Sequence, residues 1–338
     1  MMTFLRLSVC LATLVAGVWS APTLAADWAV IFMYHRFGES EHPTSNIRLD
    51  QFEAHLQELK SGGYSVRPLP EIVKSLRDGT PLPDKTVAIT IDEAFASAYR
   101  EAWPRLKQAG FPFALFLSTD SVDSGSKTYM NWDQVRELRD AGVYIGSQTA
   151  SHDHLPDLDD ETMRLELDRS NARLVAELGE QPTMMAYPFG EYGSEIQRLI
   201  SRRGYTTAFG QQSGVAHSGS DRLGYPRFVM NEAYGGIDRF RLVAKALPLP
   251  VSDRVPEDLV LVENPPAFGF TIPPSLGDPT KLDCYASGQG KTKTQVLGHR
   301  IEVRLVEPFP PGRSRVNCTM AGPDNRWRWF GVQFYIPR

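Results

Sequence analysis

From residue 28 to about residue 249, short apolar runs alternate with longer amphipathic stretches, and this rhythm constrains the fold more than any other feature of the chain. It is typical of βα units, in which strands are buried in a parallel sheet and helices cover that sheet. It therefore predicts an α/β domain built on a parallel sheet or barrel. Strands are expected at residues 29–33, 87–91, 113–117, 143–145, 184–187 and 206–209.

Two of the intervening stretches carry clear helix signals. Residues 161–178 follow Asp159 and Asp160, either of which can cap a helix N-terminus. They precede Gly179, a residue type suited to the left-handed conformation at a helix end. A further helix is expected at residues 51–60, just before a pair of glycines.

Beyond residue 249 the composition changes to proline-rich turns between short strand-like runs. Strands are expected at residues 301–306, 315–320 and 327–336, which indicates a small all-β sandwich. We predict an α/β domain at residues 27–255 and the β-rich domain at residues 256–338.

The N-terminus resembles a secretory signal peptide. Arg6 precedes an apolar run at residues 7–18, and small residues lead up to Ala25 and Ala26 before the acidic Asp27. We predict a signal peptide at residues 1–26, cut after Ala25 or Ala26, and no transmembrane segment. The mature protein is expected in the periplasm or outside the cell.

The chain has three cysteines, and Cys10 would be lost with the signal peptide. Cys284 and Cys318 would then remain in an oxidising compartment, where a disulfide between them is expected. The alternative is two separate buried thiols.

The charge balance argues against one class of partner. The chain has 36 Lys and Arg residues against 40 Asp and Glu residues, and it contains no basic run suited to a phosphate backbone. No nucleic-acid partner is expected.

Polar residues follow four of the predicted strands directly, where a barrel of parallel strands carries its catalytic groups. These segments are residues 33–36 (MYHR), 90–94 (TIDEA), 145–152 (IGSQTASH) and 186–190 (AYPFG). Because the carboxyl ends of parallel strands share one edge, the four segments are expected to form one face.

Two pairs of residues in these segments suit metal-assisted hydrolysis. Asp92 and Glu93 can divide labour, one binding a metal ion while the other takes a proton from water. Gln148 and His152 are four residues apart, so a helical turn would bring both onto one face, as metal ligation requires. Taken singly, an acidic pair is more often a solvated loop and a lone histidine a surface residue.

The order of these segments resembles that of the NodB-homology polysaccharide deacetylases, carbohydrate esterase family 4, across residues 28–250. The family motif Thr-Phe-Asp-Asp-Gly is similar to residues 90–94, and a His-Thr or His-Ser motif ending in His is similar to residues 148–152. Residues 33–35 and 186–190 look like the subgroup that includes biofilm poly-N-acetylglucosamine deacetylases. The resemblance implies a NodB-type (β/α) barrel, with a distorted seven-stranded form as one version.

The resemblance also implies roles for single residues. Asp92 would be the general base and His35 the general acid. Glu93, Gln148 and His152 would hold a divalent metal ion. The groove would be shaped by Tyr187, Pro188, Phe189 and Arg227, with packing as the alternative role of Phe189. A backbone N–H at or near Tyr187 would stabilise an oxyanion. Many family members pair the base with an arginine at the position of Ala186, and here Arg36 or Arg227 is the candidate replacement.

Two of the three implied ligands depart from the family set of one Asp and two His. Glu93 is longer than Asp by one methylene, and Gln148 offers an amide oxygen in place of an imidazole nitrogen. An amide oxygen is a poor zinc ligand and a better ligand for hard cations. The expected cofactor is therefore zinc, or Mn, Mg or Ca because of the altered ligands, or no metal at all.

Two functions of different classes follow. The first is a hydrolase that removes N- or O-linked acetyl groups from a polysaccharide or chitooligosaccharide. The alternative is a catalytically impaired, metal-poor glycan-binding protein on the same fold.

For the β-rich domain, Trp327 and Trp329 lie on one face of a predicted strand, where they could stack on sugars, fill the sandwich core or contact the first domain. A structural spacer is a further possibility.

Overall fold

A computed structural model of the protein describes residues 25–337. Its first part is an α/β fold on a curled half-barrel sheet. The strands of this part are β1 (Ala25–Ala26), β2 (Trp28–Tyr34), β3 (Arg36–Phe37), β4 (Asn46–Ile47), β5 (Ser65–Val66), β6 (Leu82–Pro83), β7 (Thr86–Asp92), β8 (Ala114–Leu117), β9 (Tyr144–Ser147), β10 (Met184–Ala186), β11 (Thr207–Phe209), β12 (Ala216–His217) and β13 (Phe228–Val229).

Helices cover this sheet, and the two that the sequence signals most clearly are present. The helix predicted at 161–178 begins one residue earlier, because the Asp159 carboxylate accepts a hydrogen bond from the Thr162 N–H, and it ends at Gly179 with φ +84°. The helices are α1 (Leu49–Ser61), α2 (Leu69–Asp78), α3 (Trp103–Ala109), α4 (Thr119–Asp123), α5 (Trp132–Asp140), α6 (Asp160–Leu178), α7 (Ser194–Arg202) and α8 (Ile237–Ala244).

The main sheet follows the order β11-β10-β9-β8-β7-β2-β12, with β5 beside β7 and β13 beside β2. The six strands from β11 to β2 in this order run parallel. All seven residues of β7 are buried, as expected for a β-branched strand in the middle of a covered sheet. The predicted parallel βα architecture is confirmed.

The C-terminal part consists of two packed sheets. One has the order β14-β22-β21-β17-β18 and the other β15-β16-β20-β19. Phe268 and Phe270 of one sheet meet Phe334 and Phe330 of the other, which closes a shared apolar core. The strands are β14 (Leu247–Pro248), β15 (Ser252–Val255), β16 (Phe268–Thr271), β17 (Leu282–Ala286), β18 (Gly290–Lys291), β19 (Lys293–Leu297), β20 (Arg300–Arg304), β21 (Gly312–Ala321) and β22 (Trp327–Ile336).

The two parts are in direct contact along β22. The Trp329 and Phe228 rings pack nearly perpendicular to each other, with their centroids 5.3 Å apart, whereas Trp327 is exposed. Trp329 therefore contacts the first part, which is one of the alternatives considered for the two tryptophans. Strands β14 and β15 precede residue 256 and already pair with C-terminal strands, so the division at residues 255/256 stays a proposal.

Most of the predicted signal peptide lies outside the described residues, and its last two residues, Ala25 and Ala26, form β1 and pair with β6. Within residues 25–337, no helix combines the length and the apolar character needed to cross a membrane. The predicted Cys284–Cys318 disulfide is present and joins opposite residues of β17 and β21.

Replacing both cysteines by serine should destabilise the C-terminal sheets, because the disulfide closes a loop with a sequence separation of 34 residues. A loop of this size predicts a loss of roughly 2–4 kcal/mol in unfolding free energy. Urea denaturation followed by tryptophan fluorescence measures it, with the reduced wild-type protein as the matched comparison. An unchanged midpoint in both would contradict this role for the disulfide.

Candidate active site

The carboxyl ends of four parallel strands bring the predicted residues to one edge of the sheet. His35 follows β2, Asp92 ends β7 and Gln148 follows β9. Phe189 is the third residue after β10. Parallel strands end at the same edge, so residues far apart in sequence meet there. The face expected from the sequence is present.

Asp92 forms the floor of this face through a buried ion pair with Arg227. Both side chains are fully buried, and the two Asp92 carboxylate oxygens each accept a 2.7 Å hydrogen bond from the guanidinium. Arg227 also donates to Thr90 Oγ1 at 3.1 Å and to the Gly210 carbonyl at 3.0 Å. The planar fork of an arginine suits a carboxylate in two-point contact, and the further acceptors hold it in place.

Gln148 occupies a bridging position beside Asp92. Its amide nitrogen donates to Asp92 Oδ2 at 3.4 Å, and its amide oxygen accepts from the backbone N–H of Glu93 at 3.2 Å. The side chain is fully buried. Both ends of the amide are therefore used within the protein.

Above this floor, Glu93 lies between two imidazoles. Its Oε1 is 3.6 Å from His152 Nε2 and 3.9 Å from His35 Nε2, and its side chain keeps a quarter of its surface exposed. Burial lowers the pKa of His152, and the nearby carboxylates of Glu93 and Asp92 oppose this effect. His152 Nε2 is buried without a hydrogen-bond partner among residues 25–337. This Nε2 atom faces the Glu93 carboxylate.

Tight loops, rather than helices, aim these side chains. Left-handed backbone is found at the non-glycine residues Glu93 (φ +71°), Ala94 (+50°), Thr149 (+67°), His152 (+66°) and Phe189 (+56°). The conditional expectation of a helical turn through residues 148–152 is therefore corrected, because that segment is an irregular loop. Such strained residues cluster where the fold holds functional groups.

Three residues expected to line the groove do not lie on its surface. Tyr187 is fully buried, with its hydroxyl donating to the Leu223 carbonyl, and Pro188 is buried beside it. The Tyr187 N–H donates to the Phe209 carbonyl at 3.0 Å, so it cannot serve as an oxyanion donor. Arg227 lies beneath the floor as the partner of Asp92. Phe189 alone of the four expected groove residues is half-exposed.

These contacts resolve the choice between Arg36 and Arg227 as the partner of Asp92. Arg36 pairs with Glu39 and lies over the Phe95 ring, 3.6 Å from its centroid. Arg227 makes both bonds to Asp92.

A second buried acid beside the site was not foreseen from the sequence. The Glu191 side chain has no exposed surface, and its Oε2 is 2.7 Å from His154 Nδ1. Burial raises the pKa of Glu191, while His154 and Arg313 oppose that rise. The only sequence signal was its position just after the 186–190 segment.

The three expected metal ligands do not form a metal centre here. Gln148 turns its oxygen toward a backbone N–H, which leaves only Glu93 and His152 of the set. Among the described residues, no group of three or more His, Cys, Asp or Glu side chains has an arrangement that could hold a metal ion. The donors present therefore do not fit the implied ion.

The chain is similar in sequence to known polysaccharide deacetylases. The family model for polysaccharide deacetylase matches residues 79–208. YxkH of Bacillus subtilis (strain 168), provisionally named a polysaccharide deacetylase, is 27% identical over 186 residues, or 55% of this chain and 65% of YxkH. The chain thus matches less than two thirds of that relative.

Two further similarities extend this finding. Poly-β-1,6-N-acetyl-D-glucosamine N-deacetylase of Staphylococcus aureus (strain MSSA476) is 22% identical over 216 residues, covering 60% of this chain and 73% of the enzyme. The structure of the Streptococcus pyogenes deacetylase PplD in complex with acetate superposes with a TM-score of 0.59 at 21% identity, covering 64% of this chain and 98% of PplD. The latter match supports the half-barrel fold.

Substituting Arg227→Met should be strongly destabilising, because it leaves the buried Asp92 carboxylate without its cation. The expected loss of unfolding free energy is roughly 3–5 kcal/mol. Adding Asp92→Asn should recover part of it, since the unpaired charge is then removed. Urea denaturation of both variants is the measurement, and an Arg227→Met variant as stable as the wild type would contradict the pairing.

Restoring Glu93→Asp together with Gln148→His should raise zinc affinity by at least about tenfold, because imidazole replaces an amide oxygen that is already engaged. Titration against a chromophoric chelator measures it. The matched control is Glu161→Asp with Gln57→His, which makes the same chemical changes at exposed positions. No gain over this control would count against Gln148 as the residue that blocks the ion.

Proposed function

We propose that this chain, whose residues 79–208 match the family model for polysaccharide deacetylase, is a hydrolase that removes N- or O-linked acetyl groups from a polysaccharide or oligosaccharide. The observation that carries the proposal is the meeting of Asp92, Glu93, His35 and His152 at one partly open edge of the sheet. Acyl-group hydrolysis needs a proton acceptor for water and a proton donor for the leaving group, and this edge offers both.

Asp92 is proposed as the group that takes the proton from water. A carboxylate has about four lone-pair sites, and the two bonds from Arg227 and one from Gln148 use three. The remaining site can accept a bond from a water molecule that enters between Asp92 and the imidazoles. Arg227 keeps the carboxylate fixed during that transfer.

His35 is proposed as the proton donor. As the water oxygen bonds to the acetyl carbon, the carbon–nitrogen or carbon–oxygen bond to the sugar breaks, and the sugar atom takes a proton from His35. Acetate leaves with the water oxygen. Glu93 Oε1 lies 3.9 Å from His35 Nε2 and 3.6 Å from His152 Nε2, between the two imidazoles.

Deacetylases of this family generally depend on a metal ion. The donors of this site do not fit the implied three-ligand centre, so no step is assigned to an ion. Zinc, or a harder ion such as Mn, Mg or Ca, stays a proposal for the cofactor and is tested by adding each ion to the assay.

The proposed substrate class is an acetylated hexosamine polymer, because a relative is named a poly-β-1,6-N-acetyl-D-glucosamine N-deacetylase. We also propose that the protein is exported. The N-terminal apolar run and the Cys284–Cys318 disulfide support this location, since disulfides persist in oxidising compartments.

Acetate release from poly-N-acetylglucosamine, chitooligosaccharides and acetylated xylan tests the function. His35→Gln and Asp92→Asn should each lower kcat/KM by about 10²-fold or more, because each removes a proton-transfer group. His42→Gln, at an exposed histidine, is the matched control and should act as the wild type. Glycan binding without acetate release would contradict the proposal and leave the glycan-binding alternative.

A further inference from the structure

A glutamine of the C-terminal sheets reaches into the loop that borders the candidate active site. Gln333 of β22 is 3% exposed, and its amide nitrogen donates to the Phe189 carbonyl at 3.0 Å and the Gly190 carbonyl at 2.9 Å. Its amide oxygen accepts from Arg315 Nε at 2.9 Å. Because Arg315 can only donate, it fixes the orientation of the amide and turns both N–H groups toward the loop.

The loop that Gln333 holds has a backbone conformation that needs support. Phe189 has φ +56° and Gly190 has φ +70°. A Cβ at Gly190 would lie 2.5 Å from Gln211 Cβ, so this turn is pressed closely against the chain beyond β11. A large side chain in the left-handed region persists only where its surroundings hold it there. Two hydrogen bonds to successive carbonyls provide such a hold.

The Phe189 ring contacts the rings of two histidines, so the position of the turn affects theirs. It meets the His152 ring edge-on at 4.5 Å between centroids and stacks on the His154 ring at 4.1 Å with an interplanar angle of 13°. His152 carries the unpartnered Nε2 that faces Glu93. A shift of Phe189 therefore removes the wall against which the His152 ring is set.

Arg313 of β21 makes a second, parallel connection. Its guanidinium lies 5.2 Å from the Phe189 centroid, and its Nη1 donates to the Phe189 carbonyl at 3.4 Å. Its Nε is 3.4 Å from Glu191 Oε1, and Glu191 in turn bonds His154. Phe189 and the Glu191–His154 pair are thus both connected to the C-terminal sheets.

We propose that Gln333 is a positioning residue of the active site, and that the C-terminal sheets set the geometry of His152 through the Phe189–Gly190 turn. The effect on rate rests on the proposed deacetylase function, whereas the effect on His152 geometry does not. The C-terminal part is then a structural component of the catalytic face rather than an independent glycan-binding module or spacer.

The test is Gln333→Leu, which keeps the side chain's bulk and removes both donors. Acetate release should show kcat lowered by about tenfold or more with KM within about twofold, because a displaced catalytic face slows the chemical step more than binding. In parallel, the ring ¹H–¹³C NMR signals of His152, assigned by their loss in His152→Gln, should shift. Gln295→Leu is the matched control, since Gln295 also bonds an arginine from a strand but is exposed and far from the turn in sequence.

A folded Gln333→Leu protein with wild-type kcat and unshifted His152 signals would overturn the proposal. Should the wild type release no acetate from any substrate, the proposed function fails while the NMR comparison still decides the positioning role. Should Gln333→Leu fail to fold, Arg313→Ala replaces it, because the Arg313 side chain is 39% exposed and its truncation leaves no buried cavity of comparable size. That variant should shift the His152 and His154 signals, and unshifted signals would equally overturn the proposal.

Discussion

The buried ion pair between Asp92 and Arg227 is the interaction on which the candidate active site depends. Two charges without exposed surface are stable only when each is well compensated, and here the pair is joined by two short bonds, with Thr90 and Gly210 accepting two further bonds from the guanidinium. These contacts tie the end of β7 to the end of β11 and to the segment before β13. The ion pair at the floor of the site therefore also holds these parts of the half-barrel together.

Gln148 shows how this floor departs from the arrangement that the family motifs imply. An imidazole at this position would present one nitrogen to an ion, whereas the amide joins Asp92 to the Glu93 backbone and closes the gap with hydrogen bonds. What remains above it is a carboxylate between two imidazoles. In this structure the face therefore combines an Asp–Arg ion pair at its floor with a Glu–His cluster above it.

The C-terminal sheets have a closer relation to this face than their separate core suggests. Strand β22 contributes Trp329 against Phe228 on one side of the half-barrel and Gln333 against the Phe189–Gly190 turn on another. One strand makes both contacts, so the sheets and the half-barrel constrain one another. At Gln333 the strand pairs with Arg315 of β21, the same residue whose guanidinium orients the Gln333 amide.

The sequence by itself determined the βα order, the helix ends at Asp159 and Gly179, the cysteine pair and the common edge shared by His35, Asp92, Glu93 and His152. Each of these follows from local periodicity, capping chemistry or the rule that parallel strands end together. Only the tertiary structure decided that Arg227 pairs with Asp92, that Gln148 turns inward, that Tyr187 and Pro188 are buried and that Gln333 reaches the active-site turn. The Arg227–Asp92 contact joins residues 135 positions apart in the sequence, and the Gln333–Phe189 contact joins residues 144 positions apart. A periodic pattern specifies which face of an element is buried, but the partner that it meets there is set by how the elements pack.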